Sequence, residues 1–344
     1  MAGITITADS GTQFEAGAAE YNSIARLDDD HFVVAYRDNN DYNKGKVNVG
    51  SRTGTSVTIN EANAVIFNND DTAYIQVRSL DSTSFVVTCG DVNSSKVYVT
   101  VGTISGTSIT LGTPVNLWGG TGYSTVAALD ASNFVSITGS SCRVCSVSGT
   151  TITSGGVQTA LIVIGYTDSV GLDATHFVMV GRYDGIVAIA GTVDIGAKTI
   201  TFGTAKTLLG SQYSYEYLPI IAKFDSQHFV VAVRDDVYDY NLKIVAATVN
   251  LTSLTITSGN VITIVPVGFS LSNYGLCAVN AYSFLVSYYT TTGTQAEVRS
   301  GTLTGDTTIA WDAQGAVVFD NDTSAYTSPC RLTDNYFILG YKSG

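Results

Sequence analysis

A repeat of about 50 residues runs through the whole chain and constrains the fold more than any other feature of the sequence. Its most regular part reads Leu-Asp-x-x-His/Ser/Asn-Phe-Val-Val, as at 27–34 and 80–87. A second element, Gly-Thr-Ser-Val-Thr-Ile at 54–59, recurs in looser form after the other copies and also at the start of the chain. Each copy of the first element carries one anchoring phenylalanine. The seven anchors are Phe32, Phe85, Phe134, Phe177, Phe229, Phe284 and Phe337.

Each copy predicts β-strands. Apolar residues alternate or run together over four to eight positions, and Gly, Asn, Asp and Ser separate these segments. In the second unit we expect four strands, at 73–80, 84–89, 96–103 and 108–117. The Asp-x-x-His turn should join the first two strands of a unit, because an aspartate there can accept backbone N–H bonds.

Seven units of four strands predict an all-β fold, a seven-bladed β-propeller with four-stranded antiparallel blades, as one domain over residues 1–344. A two-sheet sandwich would not repeat so regularly, and an open solenoid would need capping repeats that are not seen. The last blade is expected to combine residues 324–344 with an N-terminal strand at 3–10, so that the N-terminal strand closes the ring and covers a sheet edge.

The last unit lacks one strand. The third strand has copies around Val47, Val97, Val144, Val187, Val245 and Val298, and no seventh copy follows Phe337. Three explanations stay open: a three-stranded last blade, a chain that is a fragment, or a third strand that comes from a partner.

Composition narrows the classes of partner. The net charge is −12, which argues against binding to nucleic acid or to anionic membranes, because both need a basic patch. Apolar runs are too short for a membrane-inserted helix, and the first residues lack the basic and apolar regions of a signal peptide. The five cysteines are irregularly spaced, so we expect free, mostly buried thiols rather than disulfides.

The residues that could do chemistry do not form a catalytic pattern, so the sequence predicts a protein that is not an enzyme. His31, His176 and His228 all occupy the turn position before an anchor, where other units hold Ser, Asn or Tyr. Asp-rich loops at 38–41 and 235–239 predict solvated turns, with weak calcium (Ca2+) binding as the alternative and no other cofactor. No spacing indicates a metal site or the paired carboxylates of a glycosidase.

Tyrosines provide the best candidate for a binding site. A tyrosine lies eleven residues before the anchor in five units, and one position away from this in the other two, at Tyr217 and Tyr274. This places a ring of tyrosines at one mouth of the central channel, where aromatic faces and hydroxyl tips suit sugars. Packing between blades is the alternative explanation. The predicted ligand-binding residues are Tyr21, Tyr74, Trp118, Tyr123, Tyr166 and Tyr326.

The units at 65–87 and 99–110 resemble propeller repeats of bacteriophage structural or fibre proteins, particularly of aquatic phages, and of some bacterial surface proteins. The resemblance covers nearly the whole chain and implies a virion or cell-surface location, with other virion or surface proteins as partners. A virion protein needs no signal peptide, because it leaves the cell by lysis. We therefore expect a structural or attachment protein, with a lectin-like carbohydrate-binding module as the alternative and a glycosidase-like hydrolase as a remote one.

Overall fold

The computed structural model describes residues 5–7, 11–120, 122–161, 165–210, 218–235, 241–264, 271–290, 295–321 and 325–343. Within them the chain forms six antiparallel sheets of five strands and one two-stranded hairpin. A single 3-10 turn at Glu61–Asn63 is the one helical element of the described part. The all-β class is confirmed, and the alternation of apolar and polar residues is its cause, because one side of each strand packs on a neighbouring sheet.

The first three blades are built from fifteen strands. Blade 1 has β1 (Ala19–Arg26), β2 (His31–Asp38), β3 (Lys44–Thr53), β4 (Ser56–Ile59) and β5 (Val65–Asn68). Blade 2 has β6 (Thr72–Ser79), β7 (Ser84–Asp91), β8 (Lys96–Ser105), β9 (Ser108–Leu111) and β10 (Val115–Gly119). Blade 3 has β11 (Ser124–Asp130), β12 (Asn133–Thr138), β13 (Ser141–Ser148), β14 (Thr151–Ser154) and β15 (Gln158–Thr159).

The next three blades repeat this arrangement, and the hairpin follows them. Blade 4 has β16 (Gly165–Gly171), β17 (His176–Tyr183), β18 (Gly185–Asp194), β19 (Thr199–Phe202) and β20 (Lys206–Leu209). Blade 5 has β21 (Ile220–Lys223), β22 (His228–Arg234), β23 (Leu242–Asn250), β24 (Thr255–Ser258) and β25 (Ile262–Thr263). Blade 6 has β26 (Leu271–Ala278), β27 (Ser283–Thr290), β28 (Gln295–Leu303), β29 (Ile309–Trp311) and β30 (Val317–Asp320). The hairpin has β31 (Ala325–Arg331) and β32 (Phe337–Lys342).

The outer edge of each blade differs from the prediction. The expected fourth strand of the second unit is two strands, β9 and β10, which pair with successive parts of β8. The segment between them contains Pro114, which has no N–H to donate to a sheet, so one continuous edge strand cannot form there. In blade 1 the 3-10 turn interrupts the edge at the same place.

The predicted number of blades is also wrong. The described residues form six blades rather than seven, and each of these has five strands rather than four. The hairpin β31–β32 repeats the first two strands of a blade, but in the described residues it pairs with no third strand that would extend it into a blade.

Contacts between first strands close the ring. β1 contacts β6, and such contacts continue through β11, β16, β21 and β26 to β31, which contacts β1. The predicted closure by an N-terminal strand is not seen, because residues 5–7 form no strand and residues 1–4 and 8–10 lie outside the described part. The assignment of residues 1–344 to one domain stays a prediction.

The core lies between neighbouring sheets. Each apolar layer combines two adjacent blades, as where Val180 and Ile186 of blade 4 pack with Phe229 and Val245 of blade 5. All five cysteines are free and buried, as expected from their spacing. Burial raises the pKa of the thiol of Cys142 to about 12, so this sulfur stays protonated and packs as a small apolar group.

Candidate functional site

The predicted tyrosines start the innermost strands, and three of them share an unusual backbone. Tyr21, Tyr74 and Tyr166 have φ values of 51°, 54° and 49°, a region that side chains other than glycine rarely adopt. Each lies where the pairing of a first strand with the second strand shifts in register, which is a β-bulge. The same bulge in blades 1, 2 and 4 therefore directs these three tyrosines in the same way at one end of the ring.

Four of these tyrosines form a continuous row, which we call the tyrosine arc: Tyr21, Tyr74, Tyr123 and Tyr166. Their ring centroids are 5.8 Å, 4.1 Å and 5.1 Å apart in that order, and the rings are inclined to one another by 68°, 42° and 55°. Tyr166, at one end, is 38% exposed, and the other three are half-buried. The arc thus joins four blades and keeps an accessible aromatic surface.

The other end of the tyrosine arc is charged. The guanidinium carbon of Arg37 lies 4.8 Å from the centre of the Tyr21 ring, a cation–π geometry. Arg37 also pairs with Glu20 and lies 3.8 Å from Asp71, and Lys342 donates to Glu20 over 3.0 Å. Burial raises the pKa of Tyr21, whereas the positive charge of Arg37 lowers it. The effect of burial is larger, so the phenol remains a neutral hydrogen-bond donor at physiological pH.

Beneath the arc, a buried polar network ties four blades together. Asp168 of blade 4 is 2% exposed, and its Oδ1 accepts hydrogen bonds from Gln76 Nε2 (2.7 Å) and Arg78 Nη2 (3.2 Å), both of blade 2. Its Oδ2 accepts from the backbone N–H of Ile221 in blade 5 (3.1 Å). The hydroxyl of Thr125 in blade 3 lies 2.7 Å from Gln76 Oε1. A buried carboxylate with this many donors is fixed in place rather than free to react.

The spacing of tyrosines and anchors did not predict this network, although a second pattern in the sequence marks the positions of several of its members. In the five units whose tyrosine lies eleven residues before the anchor, a polar residue follows that tyrosine after one intervening residue. These residues are Ser23, Gln76, Thr125, Asp168 and Ser328. Four of them accept a hydrogen bond from a backbone N–H of the next first strand around the ring. The acceptor and donor pairs are Ser23 with Val77, Gln76 with Val126, Asp168 with Ile221, and Ser328 with Ile24.

Two other predicted ligand-binding residues are not part of the arc. Trp118 lies on β10, at the outer edge of blade 2, and is 7% exposed. Its Nε1 donates to Ser136 over 3.0 Å, and its ring packs in the layer between blades 2 and 3. The side chain of Tyr326 and all of Tyr217 lie outside the described residues. Tyr274 is buried and donates its hydroxyl to the carbonyl of Leu218 over 2.5 Å.

The histidines take part in turns. In each, Nδ1 lies 2.8–2.9 Å from a carboxylate oxygen of the aspartate three residues earlier: Asp28, Asp173 and Asp225. Asp28 also accepts the backbone N–H groups of Asp30 and His31, as expected for this turn. Burial raises the pKa of Asp28, but these hydrogen bonds outweigh it and lower the pKa overall.

The carboxylates predicted as solvated loops are engaged locally. Asp38 accepts the backbone N–H of Asn40 (2.8 Å) and, with Asp41, binds Lys46. Across the described ranges, no three His, Cys, Asp or Glu side chains lie close enough together to hold a metal ion. Residues 236–240 lie outside the described part, and weak calcium binding stays a prediction. In the part of the chain that is described, no helix has the length and hydrophobicity to cross a membrane.

Comparison with known proteins identifies the fold and no family. No family model matches the chain, and no curated protein matches it by sequence. Among solved structures, a Lactobacillus plantarum protein superposes with a TM-score of 0.60 at 15% identity, over 86% of this chain and 84% of that one. A Bacteroides uniformis protein with the provisional name 6-phosphogluconolactonase superposes with a TM-score of 0.60 at 8% identity, over 93% and 87%. A Hadza microbial sialidase superposes with a TM-score of 0.53 at 14% identity, over 95% of this chain and 63% of that one.

These comparisons confirm a β-propeller, and they overturn the expectation that the chain is not an enzyme. Propellers with enzyme names, a 6-phosphogluconolactonase and sialidases, share its architecture. That expectation rested on missing sequence motifs, which is insufficient because one fold can carry many active sites with unrelated sequences. Nothing in these likenesses concerns phage or surface proteins.

Proposed function

We propose that the tyrosine arc is a carbohydrate-binding site and that the chain works as a glycan-binding propeller. The observation that carries this proposal is the row of four rings, contributed by four successive blades at centroid distances of 4.1–5.8 Å. A tyrosine offers a flat apolar face for the C–H side of a sugar and a hydroxyl for hydrogen bonding. Arg37, Glu20 and Asp71 add charged donors and acceptors at one end.

The backbone at the arc supports binding more than simple packing. Holding a residue other than glycine at positive φ costs about 1–2 kcal/mol, and three blades do so at their tyrosines. Such strain collects at functional sites, where the surrounding structure enforces it. Glycan binding at this mouth fits the attachment role at a virion or cell surface that the sequence predicts, with glycans and other surface proteins as partners.

A second candidate function is hydrolysis of a sugar-derived substrate at the same mouth, which the names of the fold neighbours favour. Glu20, next to Tyr21, is the carboxylate best suited to take part. Burial raises the pKa of Glu20, whereas Lys342 and Arg37 lower it, and the net effect is a lowered pKa. An ionised Glu20 can serve as a base or nucleophile, and the acid that a glycosidase also needs would come from another residue.

A glycan array with matched variants tests the proposal. We expect Tyr74→Ala and Tyr166→Ala to weaken binding at least tenfold, about 1.4 kcal/mol. Tyr282→Ala is the control, because this tyrosine is 54% exposed in the turn after β26, at the opposite end of a first strand. The same proteins are assayed with fluorogenic sialosides, other glycosides and a sugar lactone, together with Glu20→Gln.

The outcomes separate the two candidates. Binding that is lost in the arc variants and kept in Tyr282→Ala supports the glycan-binding propeller. Turnover that disappears in Glu20→Gln, with an unchanged melting temperature, supports the hydrolase. A wild-type protein that neither binds a glycan nor turns over a substrate contradicts both.

A further inference from the structure

Two arginines occupy equivalent positions near the two ends of the tyrosine arc. Arg37 of blade 1 and Arg182 of blade 4 each lie five residues after the anchor phenylalanine of their unit. In blade 1, Glu20 of β1 pairs with Arg37 of β2. In blade 4, Gly165 of β16 pairs with Arg182 of β17, and the register of both blades shifts directly after this pair. The two arginines therefore have the same backbone setting beside an arc tyrosine.

In blade 1 the chain itself supplies a carboxylate to this arginine. Residues that lie directly opposite each other in an antiparallel pair have their side chains on the same face of the sheet. Glu20 accordingly forms an ion pair with Arg37. The guanidinium carbon of Arg37 also lies 4.8 Å from the centre of the Tyr21 ring. Blade 1 thus shows that a carboxylate can bind an arginine in this setting, next to an arc tyrosine.

In blade 4 the corresponding carboxylate is missing. Gly165 has no side chain, and a Cβ added to it would meet no described atom within 4 Å. Among the residues that the structure describes, Arg182 has no ion pair, side-chain hydrogen bond or cation–π contact. Its side chain is partly exposed, and Tyr166, the residue after Gly165, is 38% exposed. A guanidinium without a partner, close to an accessible ring, is suited to bind an anionic group of a ligand.

We propose that Arg182 and Tyr166 bind an acidic sugar, whose carboxylate takes the place that the Glu20 side chain has in blade 1. This inference rests on the proposed function, because it names the class of glycan that the tyrosine arc takes. An arginine binds a carboxylate through two parallel N–H···O bonds, and a tyrosine ring packs on the C–H face of a sugar. Arg37 is already paired with Glu20, so the acidic sugar lies at the Tyr166 end of the arc.

The charge of the chain makes such a preference informative. The net charge is −12, so the protein as a whole repels an acidic ligand. An acidic sugar is therefore preferred over a neutral one only if a positive group contacts it directly. General attraction between opposite charges would not produce this result.

Matched pairs of glycans test the inference by calorimetric titration of the whole protein. One pair is sialyllactose and lactose, and the other is a glucuronate-terminated disaccharide and its glucose-terminated counterpart. We expect the acidic member of at least one pair to bind at least about tenfold more tightly, as for a hydrogen bond to a charged group. Arg182→Gln should remove this preference and leave the affinity for the neutral member unchanged.

Gly165→Glu is the complementary variant, because it places opposite Arg182 the residue that blade 1 has opposite Arg37. The new carboxylate should pair with Arg182 and weaken binding of the acidic sugar at least about tenfold. Gly165→Gln adds a side chain of the same size without the charge and should keep most of the preference. Gly305→Glu is the control for charge, since this exposed glycine also has open surroundings and follows β28 at the end of the blade away from the arc.

The outcomes separate this inference from the proposed function. A preference that is lost in Arg182→Gln and Gly165→Glu, with unchanged melting temperatures, and kept in Gly305→Glu supports the inference. Equal affinities within both pairs overturn it, while the binding of neutral glycans leaves the proposed function standing. A preference for the acidic sugar that survives in Arg182→Gln also overturns it. If no glycan binds, the proposed function and the inference both fail.

Discussion

At the scale of single residues, the tyrosine arc shows how a spacing in the sequence becomes a surface. The constant distance between tyrosine and anchor predicted that these tyrosines start the first strands, and Tyr21, Tyr74 and Tyr166 do so. The positive φ at the three positions was not predictable, because tyrosine has no preference for it. It arises from the bulge that the pairing with the second strand imposes.

Substitutions at Tyr166 test this backbone conformation. Both Tyr166→Gly and Tyr166→Ala remove the aromatic side chain. The glycine variant should be more stable than the alanine variant by about 1 kcal/mol, because glycine adopts positive φ without strain. The order would be reversed in a regular strand, where glycine is the less stable residue. Urea denaturation of the two variants measures the difference, and a more stable alanine variant would show that φ is negative at this position in the absence of the ring.

At the scale of the element, each blade is built on a phenylalanine packed against a small residue. Phe85 is fully buried, and a Cβ added to Gly102 opposite would lie only 2.3 Å from its ring. The same contact occurs between Phe177 and Gly191. The sequence predicted seven anchors, and six of them are buried core residues, whereas Phe337 is only partly covered. The sequence did not reveal the glycine partners, because pairing depends on the register of the second and third strands.

The two anchors Phe85 and Phe337 form a matched pair for mutation. Phe85→Ala should lower the free energy of unfolding by about 3–5 kcal/mol, as expected for a fully buried aromatic. Phe337→Ala should cost much less, because this ring is only partly covered and buries less apolar area. Denaturation curves of both variants provide the measurement, and equal losses would mean that Phe337 is covered in solution.

At the scale of the whole molecule, the blades are held in a ring by polar contacts between first strands as well as by the apolar layers. The N–H groups of Ile24, Val77 and Val126 each donate to a side chain of the preceding sheet. Asp168 adds contacts across the ring, because its partners Gln76 and Arg78 belong to blade 2. Blades 2 to 5 therefore share one network.

Removing the charge of Asp168 should loosen the ring. Asp168→Asn replaces one acceptor oxygen by an NH2 group, which would face the hydrogen-bond donors that now bind the carboxylate. We expect the free energy of unfolding to fall by about 3 kcal/mol, typical of a broken buried ion pair. Asp173→Asn is the control, since this aspartate is half-exposed in a turn and its loss should cost about 1 kcal/mol or less. Comparable urea midpoints for the two variants would contradict a ring-stabilising role for Asp168.

The sequence by itself determined the all-β class, the repeat, the anchor positions and the Asp-x-x-His turns, because these follow from local alternation and from side chains bonding to their own backbone. Only the tertiary structure decided the number of complete blades, the split outer edge, the direct ring-to-ring contacts of four tyrosines and the network around Asp168. These depend on contacts between residues far apart in the chain. The distance from Gln76 to Asp168 along the sequence is more than a whole repeat, and no local pattern encodes their 2.7 Å hydrogen bond.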